Sequence, residues 1–142
     1  MKPLLILVSA VLALLIYAPS CSQGKTDTPL DVSCNDFITN NHISQQVEVT
    51  ADNSITLSLC SNPSTGFQWS QAAEISDNTV IQQVDHIYLQ PEAKSPIGAP
   101  GKQVWTFKGL KKGTATVSLE YSRPGEGGEK GEWTYELTIV VK

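Results

Sequence analysis

The segment Thr114-Ala115-Thr116-Val117-Ser118-Leu119-Glu120-Tyr121 alternates polar and apolar side chains without interruption. An alternation with period two is typical of a β-strand that has one face in a core and the other in water. The same pattern recurs on both sides of this segment and predicts further strands at residues 45–50, 54–60, 67–72, 79–89, 102–108 and 132–141. No part of the chain shows a sustained apolar period of about 3.6 residues, so the sequence predicts an all-β protein.

The predicted strands are short, and turn residues separate them at short intervals. This spacing predicts an immunoglobulin-like antiparallel β-sandwich of about seven strands, with a small closed barrel as the alternative. The apolar residues of the segment 79–89 change parity around Val84, which predicts an irregular strand there. Cys60 falls on the opposite parity from Leu59, so we expect it at the end or the edge of its strand.

Three connections between the predicted strands are expected to lie at one end of the sandwich. Successive antiparallel strands reverse direction, so loop 1 (residues 61–66), loop 2 (residues 90–101) and loop 3 (residues 123–131) share an end. These loops are the richest in Pro and Gly in the predicted domain, whereas the turns near Asp52 and Lys111 at the opposite end are short. The asymmetry indicates a functional end, because sandwich loops carry recognition while the sheets hold them in place.

The residue types of loop 1 predict a stiff turn. Pro63 fixes its own φ and lacks a backbone donor. Gly66 permits a positive φ and the close approach of another backbone. The Asn62 side chain can bond the backbone of its own loop. A loop of this kind loses little entropy when it docks, so more of its contact energy appears as affinity.

Loop 1 also carries a recognisable motif. Asn62-Pro63-Ser64-Thr65-Gly66-Phe67 resembles the Asn-Pro-[Ser/Thr]-Thr-Gly-[Phe/Tyr] loop of the chagasin family of cysteine protease inhibitors. Two further segments match that family in order and spacing, namely Gly98-Ala99-Pro100-Gly101 followed by Trp105 and Phe107, and then Tyr121-Ser122-Arg123-Pro124. The resemblance covers about residues 44–142.

The resemblance implies an immunoglobulin-like sandwich that inhibits papain-like, cathepsin L-type cysteine proteases reversibly and without a covalent bond. It implies that residues 62–67 form a central wedge in the active-site cleft, with Thr65 nearest the catalytic centre. Gly98, Ala99, Pro100 and Gly101 would line one flank of the cleft, and Arg123 and Pro124 the other.

The chain departs from the family pattern at two positions. Gly125 stands where the family has a tryptophan after Arg-Pro, and Pro100 interrupts the Gly-rich segment. The alternative function is a non-inhibitory cell-surface adhesion or carbohydrate-binding sandwich. That alternative predicts that Trp side chains form a flat, exposed patch away from the loops.

The N-terminus has the pattern of an export signal. Lys2 precedes an apolar run from Leu4 to Tyr17, and small residues follow up to Cys21. We therefore expect a lipoprotein-type signal peptide at 1–20, a tether and N-terminal extension at 21–43 and an inhibitor domain at 44–142. Cys21 is the expected lipid attachment site, which would make the protein an outward-facing lipoprotein of the cell envelope. Plain secretion after ordinary cleavage and an uncleaved membrane anchor are the alternatives.

The three cysteines fit this expectation. Lipidation of Cys21 leaves Cys34 and Cys60, and such a pair tends to oxidise outside the cytoplasm. A disulfide would contribute roughly 3 kcal/mol through chain entropy. Two reduced, buried thiols are the alternative.

Other function classes lack their sequence signals. The chain has 10 basic and 14 acidic residues, a formal net charge of −4, so it has no electrostatic footprint for nucleic acid. His42 and His86 lie far apart in sequence and no close Cys or His pair occurs, so we expect neither a metal nor a cofactor. Nucleophile-elbow and metal-hydrolase signatures are also missing, which argues against an enzyme. The default oligomeric state is a monomer.

Overall fold

The computed structural model describes residues 24–142 as two β-sheets that share one core. In chain order the elements are β1 (Asp27–Val32), α1 (Cys34–Thr39), β2 (His42–Val49), β3 (Ser54–Ser61), β4 (Gln68–Trp69), β5 (Glu74–Ile75), β6 (Ile81–Leu89), β7 (Gly101–Gly109), β8 (Gly113–Ser122) and β9 (Trp133–Val141). The predicted signal peptide and Cys21 lie outside the described residues.

The order of strands is β1-β3-β7-β6 in one sheet and β2-β9-β8-β4 in the other, where β5 also pairs with β8. The alternation that predicted β8 is confirmed, because Ala115, Val117, Leu119 and Tyr121 all point into the core and are at most 3% exposed. The predicted immunoglobulin-like β-sandwich is therefore confirmed.

Two edges of the sandwich differ from the antiparallel prediction. β1 pairs in parallel with β3, and β2 pairs in parallel with β9. Both arrangements follow from one crossing, in which α1 carries the chain from the edge of the first sheet to the edge of the second. The other strand pairs are antiparallel in the described part of the chain.

The predicted tether and N-terminal extension, residues 21–43, contains a regular strand from residue 27 onward. Leu30 lies opposite Leu57 and Val32 opposite Leu59, and Val32 is buried. The neighbouring strand β3 supplies backbone partners that the short polar segment does not reveal in its own sequence. Pro29 is tolerated because β1 is an edge strand.

Smaller expectations have mixed outcomes. The irregularity near Val84 is confirmed by a register shift between Gln83 and Asp85. Cys60 lies one residue before the end of β3, as predicted. The strand predicted at 67–72 is shorter, since regular pairing in β4 ends at Trp69 and a separate strand, β5, begins at Glu74.

Helix α1 anchors the N-terminal segment to the sandwich. Ser33 caps it in a capping box with Asp36, and Phe37 is fully buried in the core. The predicted disulfide is present between Cys34 and Cys60, whose Cα atoms are 5.1 Å apart. Across residues 24–142, we find no helix that is both long enough and apolar enough to cross a membrane.

Candidate functional site

Loop 1 folds into a compact turn that its own residues hold together. Residues Pro63–Thr65 form a single 3-10 turn. The Asn62 side-chain oxygen accepts hydrogen bonds from the Ser64 hydroxyl at 2.6 Å and from the Ser64 backbone N–H at 3.3 Å. The Thr65 hydroxyl donates to the Asn62 carbonyl at 2.7 Å. Gly66 has a φ of +82°, the left-handed conformation that its residue type predicted.

A tyrosine on strand β8 forms hydrogen bonds with the backbone of loop 1. The Asn62 N–H donates to the Tyr121 hydroxyl at 3.0 Å, and that hydroxyl also lies 3.4 Å from the Asn62 carbonyl. The Tyr121 ring stacks on Phe67 at 5.5 Å between centroids. Tyr121 therefore contacts Asn62 near the start of loop 1 and Phe67 directly after its end.

Loop 1 contacts loop 2 through one hydrogen bond. The Asn62 side-chain amide donates to the Gly98 carbonyl at 3.0 Å. Asn62 thus uses its oxygen to hold its own turn and its nitrogen to hold the neighbouring loop. This bond joins the first two segments of the sequence motif in space.

Loop 1 contacts loop 3 through Arg123. The Arg123 guanidinium lies over the Phe67 ring at 4.6 Å and donates to the Thr65 carbonyl at 3.4 Å. Within loop 3, Arg123 forms an ion pair with Glu129 at 3.1 Å. The Lys130 ammonium donates to the Arg123 carbonyl at 2.9 Å, so loop 3 is cross-linked at its base.

The predicted site residues therefore converge from loops far apart in sequence. Pro63, Ser64, Thr65 and Gly66 form the exposed tip of loop 1, and Arg123 and Pro124 are exposed beside it. In loop 2, Gly98 and Pro100 are exposed and Ala99 is half-buried.

Gly101 lies elsewhere than its neighbours in the motif. It begins β7 and is buried, and a Cβ on it would come within 2.3 Å of the Leu89 carbonyl oxygen and 2.6 Å of the Tyr88 hydroxyl. Only glycine fits between the base of loop 2 and β6. The structure thus gives Gly101 a packing role.

Sequence reasoning missed one residue at this end of the molecule. Ile97 is 107% exposed, the most exposed of the large apolar side chains among residues 24–142. It directly precedes Gly98, whose carbonyl Asn62 holds. In the sequence it is a single apolar residue in a Pro/Gly-rich loop. Such a residue does not indicate a binding role until its exposure is known.

A shallow cavity of about 460 Å³ lies behind loop 3, on the outer face of the second sheet. Glu74, Glu120 and Glu136 line it together with Arg123 and Lys130. Glu120 is already engaged by the Gly131 N–H at 2.9 Å and by the Ser122 hydroxyl. No group of three or more His, Cys, Asp or Glu side chains in residues 24–142 is arranged to hold a metal ion.

The tryptophans do not form the exposed patch that the adhesion alternative predicts. Trp69 and Trp105 are buried in the core. Trp133 is half-buried and stacks between Phe37 and Tyr121. These positions do not favour a carbohydrate-binding or adhesive face built on tryptophan.

A rigid sandwich that presents bonded loops at one end belongs to the class of loop-based binding proteins. The family described as "Chagasin family peptidase inhibitor I42" matches residues 48–139. The chain belongs to this family, whose members are inhibitors of cysteine proteases and not enzymes.

Individual relatives agree with this assignment. The chain is 30% identical over 96 residues to Amoebiasin-2 of Entamoeba histolytica, covering 68% of this chain and 76% of that protein. It is 30% identical over 92 residues to Chagasin of Trypanosoma cruzi, covering 63% and 83%. The crystal structure of the cysteine protease inhibitor EhICP2 from Entamoeba histolytica superimposes with a TM-score of 0.63 over 84% of this chain and 100% of that one. At 23% identity the structural likeness establishes the fold.

Proposed function

We propose that this chain inhibits papain-like cysteine proteases of the cathepsin L type by placing loop 1 in the active-site cleft, with loops 2 and 3 on either side. The observation that carries the proposal is the bonding of loop 1. Its turn is closed by Asn62 and by the left-handed Gly66, and it is fastened to Tyr121, Gly98 and Arg123. A protease cleaves a chain that it can extend along its cleft, and this turn resists extension.

The chemistry of the tip suits a narrow cleft. Ser64 and Thr65 are small and exposed, and their hydroxyls bond within the loop. They therefore enter an apolar or partly dry cleft with their hydroxyl groups already hydrogen-bonded, which lowers the cost of removing them from water. Thr65 lies at the apex of the proposed wedge and comes nearest to the catalytic centre.

The flanks contribute through different chemistry. Ile97 offers a fully exposed apolar side chain that gains from burial in a partner. Arg123 and Pro124 form the opposite flank, with the Arg123 guanidinium stacked on Phe67. Gly125 offers no side chain, so loop 3 lacks the buried indole that can dominate an interface.

Thr65→Lys tests the wedge. A lysine at the apex would bring an ammonium group into the cleft without a partner, and desolvating it costs several kcal/mol. We expect inhibition of papain to weaken by about 100-fold or more, measured as Ki against a peptide substrate. Thr114→Lys is the matched control, because Thr114 is exposed at the opposite end of the sandwich.

The wedge assignment fails if Thr65→Lys and Gly66→Val both fold normally and inhibit as well as the parent. Gly66→Val is informative because valine strongly disfavours the φ of +82° that the turn requires. A loss shared equally by Thr114→Lys would point to charge and away from position.

We also propose that the protein is exported and is lipidated at Cys21. The Cys34–Cys60 disulfide supports export, because structural disulfides persist mainly in oxidising compartments. The signal pattern before Cys21 supports the attachment site. Mass spectrometry of the N-terminal peptide tests this, and an unmodified Cys21 in the mature protein would contradict lipidation. The monomeric state stays a prediction.

A further inference from the structure

The N-terminal segment, residues 27–39, precedes the part of the chain that matches the family, yet it contacts the base of loop 1. The Cys34–Cys60 disulfide ties α1 to β3 at the position two residues before Asn62. Cys60 is 4% exposed, so this attachment lies inside the protein. The first end of loop 1 is thus covalently fixed to an element outside the matched region, residues 48–139.

A chain of aromatic rings connects the same helix to the rest of loop 1. Phe37 of α1 stacks on Trp133 at 5.0 Å with an interplanar angle of 13°. Trp133 stacks on Tyr121 at 4.7 Å and 11°, and Tyr121 stacks on Phe67 at 5.5 Å and 22°. Within this series, the Tyr121 hydroxyl accepts the hydrogen bond from the Asn62 N–H.

A second route from Phe37 reaches the strands that enter and leave loop 1. Phe37 also packs against Trp69 at 5.2 Å. The Trp69 indole N–H donates to the Cys60 carbonyl at 2.8 Å and is buried. Trp69 therefore bonds the strand before loop 1 to the strand after it, and Phe37 supports that bond from the side.

We infer that α1 and the Cys34–Cys60 disulfide act as a clamp that keeps loop 1 in its turn, and that Cys34 and Phe37 are positioning residues for inhibition. This inference rests on the proposed function. A clamped loop cannot extend along the cleft to present a scissile bond, and it loses little entropy on docking. Without the clamp, loop 1 would still bind, but it would extend and be cut as a slow substrate.

The test compares three variants with the parent protein. Cys34→Ser/Cys60→Ser removes the disulfide and leaves no unpaired thiol at either position. Phe37→Leu keeps the disulfide and removes the ring stack. Val141→Ala is the control, because it removes buried packing at the opposite end of the sandwich, where Val141 is 1% exposed.

Each protein is mixed with papain that has been activated and then freed of reductant, at a temperature at which all four are folded. The dissociation rate is measured, and the cleavage products are identified by mass spectrometry. We expect Cys34→Ser/Cys60→Ser and Phe37→Leu to dissociate about tenfold faster than the parent and to be cut between residues 62 and 67 over time. The parent and Val141→Ala should stay intact.

Amide hydrogen exchange on the free proteins gives a readout that does not depend on inhibition. The Asn62 and Gly66 N–H groups bond Tyr121 and Pro63, and they should exchange faster in the clamp variants and not in Val141→Ala. If the parent inhibits while both clamp variants stay uncut with unchanged loop 1 exchange, the clamp is wrong and the inhibitor function stands. If the parent does not inhibit but loop 1 exchange rises as expected, the proposed function fails while the mechanical coupling stands. Equal acceleration in Val141→Ala would reduce the clamp to general stability and overturn the inference.

Discussion

At the scale of single residues, loop 1 shows which properties local chemistry determines. The roles of Asn62, Pro63 and Gly66 in the turn were predictable, because each depends on bonds and dihedral angles within the loop. The hydrogen bond of Tyr121 was not predictable, because its hydroxyl reaches Asn62 across 59 positions of sequence. The position of Tyr121 on the inner face of β8 was predicted, whereas its hydrogen bond depends on how the sheets pack.

Ile97 supports a prediction at this scale. Ile97→Ala should weaken protease binding by about 1–2 kcal/mol, roughly 5- to 30-fold in Ki, because an exposed apolar side chain gains from burial only in the complex. The stability of the free protein should change by less than about 0.5 kcal/mol, since the Ile97 side chain is fully exposed and its truncation removes no buried packing. Thermal unfolding and Ki measured on the same preparations check both parts.

Leu110→Ala is the matched control for Ile97→Ala. Leu110 is a partly exposed apolar residue, 37% exposed, in the turn at the opposite end of the sandwich. It should leave Ki unchanged. An unchanged Ki for Ile97→Ala would remove Ile97 from the proposed interface.

At the scale of elements, strands with regular alternation were predictable and irregular or short elements were not. Residues 114–122 follow the two-residue period throughout, and β8 has nearly those bounds. β1 has only the apolar pair Leu30 and Val32 facing inward. Its own sequence therefore indicates a strand weakly, and the strand forms because β3 supplies its backbone partners. Helix α1 had one local signal in the sequence, Ser33 three residues before Asp36, which matches a capping box. The helix that follows has only six residues, too few to show a helical period.

The capping box predicts a pH dependence of α1. The Asp36 carboxylate accepts hydrogen bonds from the Ser33 hydroxyl at 2.6 Å and from the Ser33 N–H at 2.9 Å. Both bonds lower the pKa of Asp36. A folded-state pKa below the unfolded one gives stability that is fully present above the unfolded pKa, near pH 4, and is lost as pH falls through the folded pKa. The parent should therefore be more stable than Asp36→Ala at pH 7, and the difference should shrink steadily below about pH 4.

Thermal unfolding of both proteins between neutral and strongly acidic pH checks this prediction. Ser33→Ala provides the partner for a double-mutant cycle, and adding Asp36→Ala to it should cost less than Asp36→Ala costs in the parent. A stability difference that persists unchanged in strong acid would show that the Asp36 charge does not support the helix.

At the scale of the whole molecule, the gathering of the loops was predictable from topology alone. Loops 1, 2 and 3 are alternate connections between the antiparallel strands, so they lie at one end. In the structure, loop 1 forms hydrogen bonds with both of the other loops. The parallel edges formed by β1 and β2 were missed, because they depend on where α1 crosses between the sheets. Those edges leave the loop end intact, and so the predicted functional end survives the correction.

The combined arrangement explains how a modest core can present a stiff binding surface. The two sheets share one core, and the disulfide and the ring series from Phe37 to Phe67 connect that core to loop 1. The opposite end of the sandwich has the short turns near Asp52 and Lys111 and the longer connection that contains β5. The sequence motif of residues 62–67 and the hydrogen bonds among the three loops therefore lie at the same end of the molecule.

The most direct test of this account is titration of papain and of a cathepsin L-type protease with the protein, read against a peptide substrate. We predict reversible, tight inhibition that competes with the substrate, and loss of binding when a covalent peptide-based inhibitor already fills the cleft. Absence of inhibition by correctly folded protein, or binding that persists with the cleft filled, would contradict the claim that loop 1 occupies the active site.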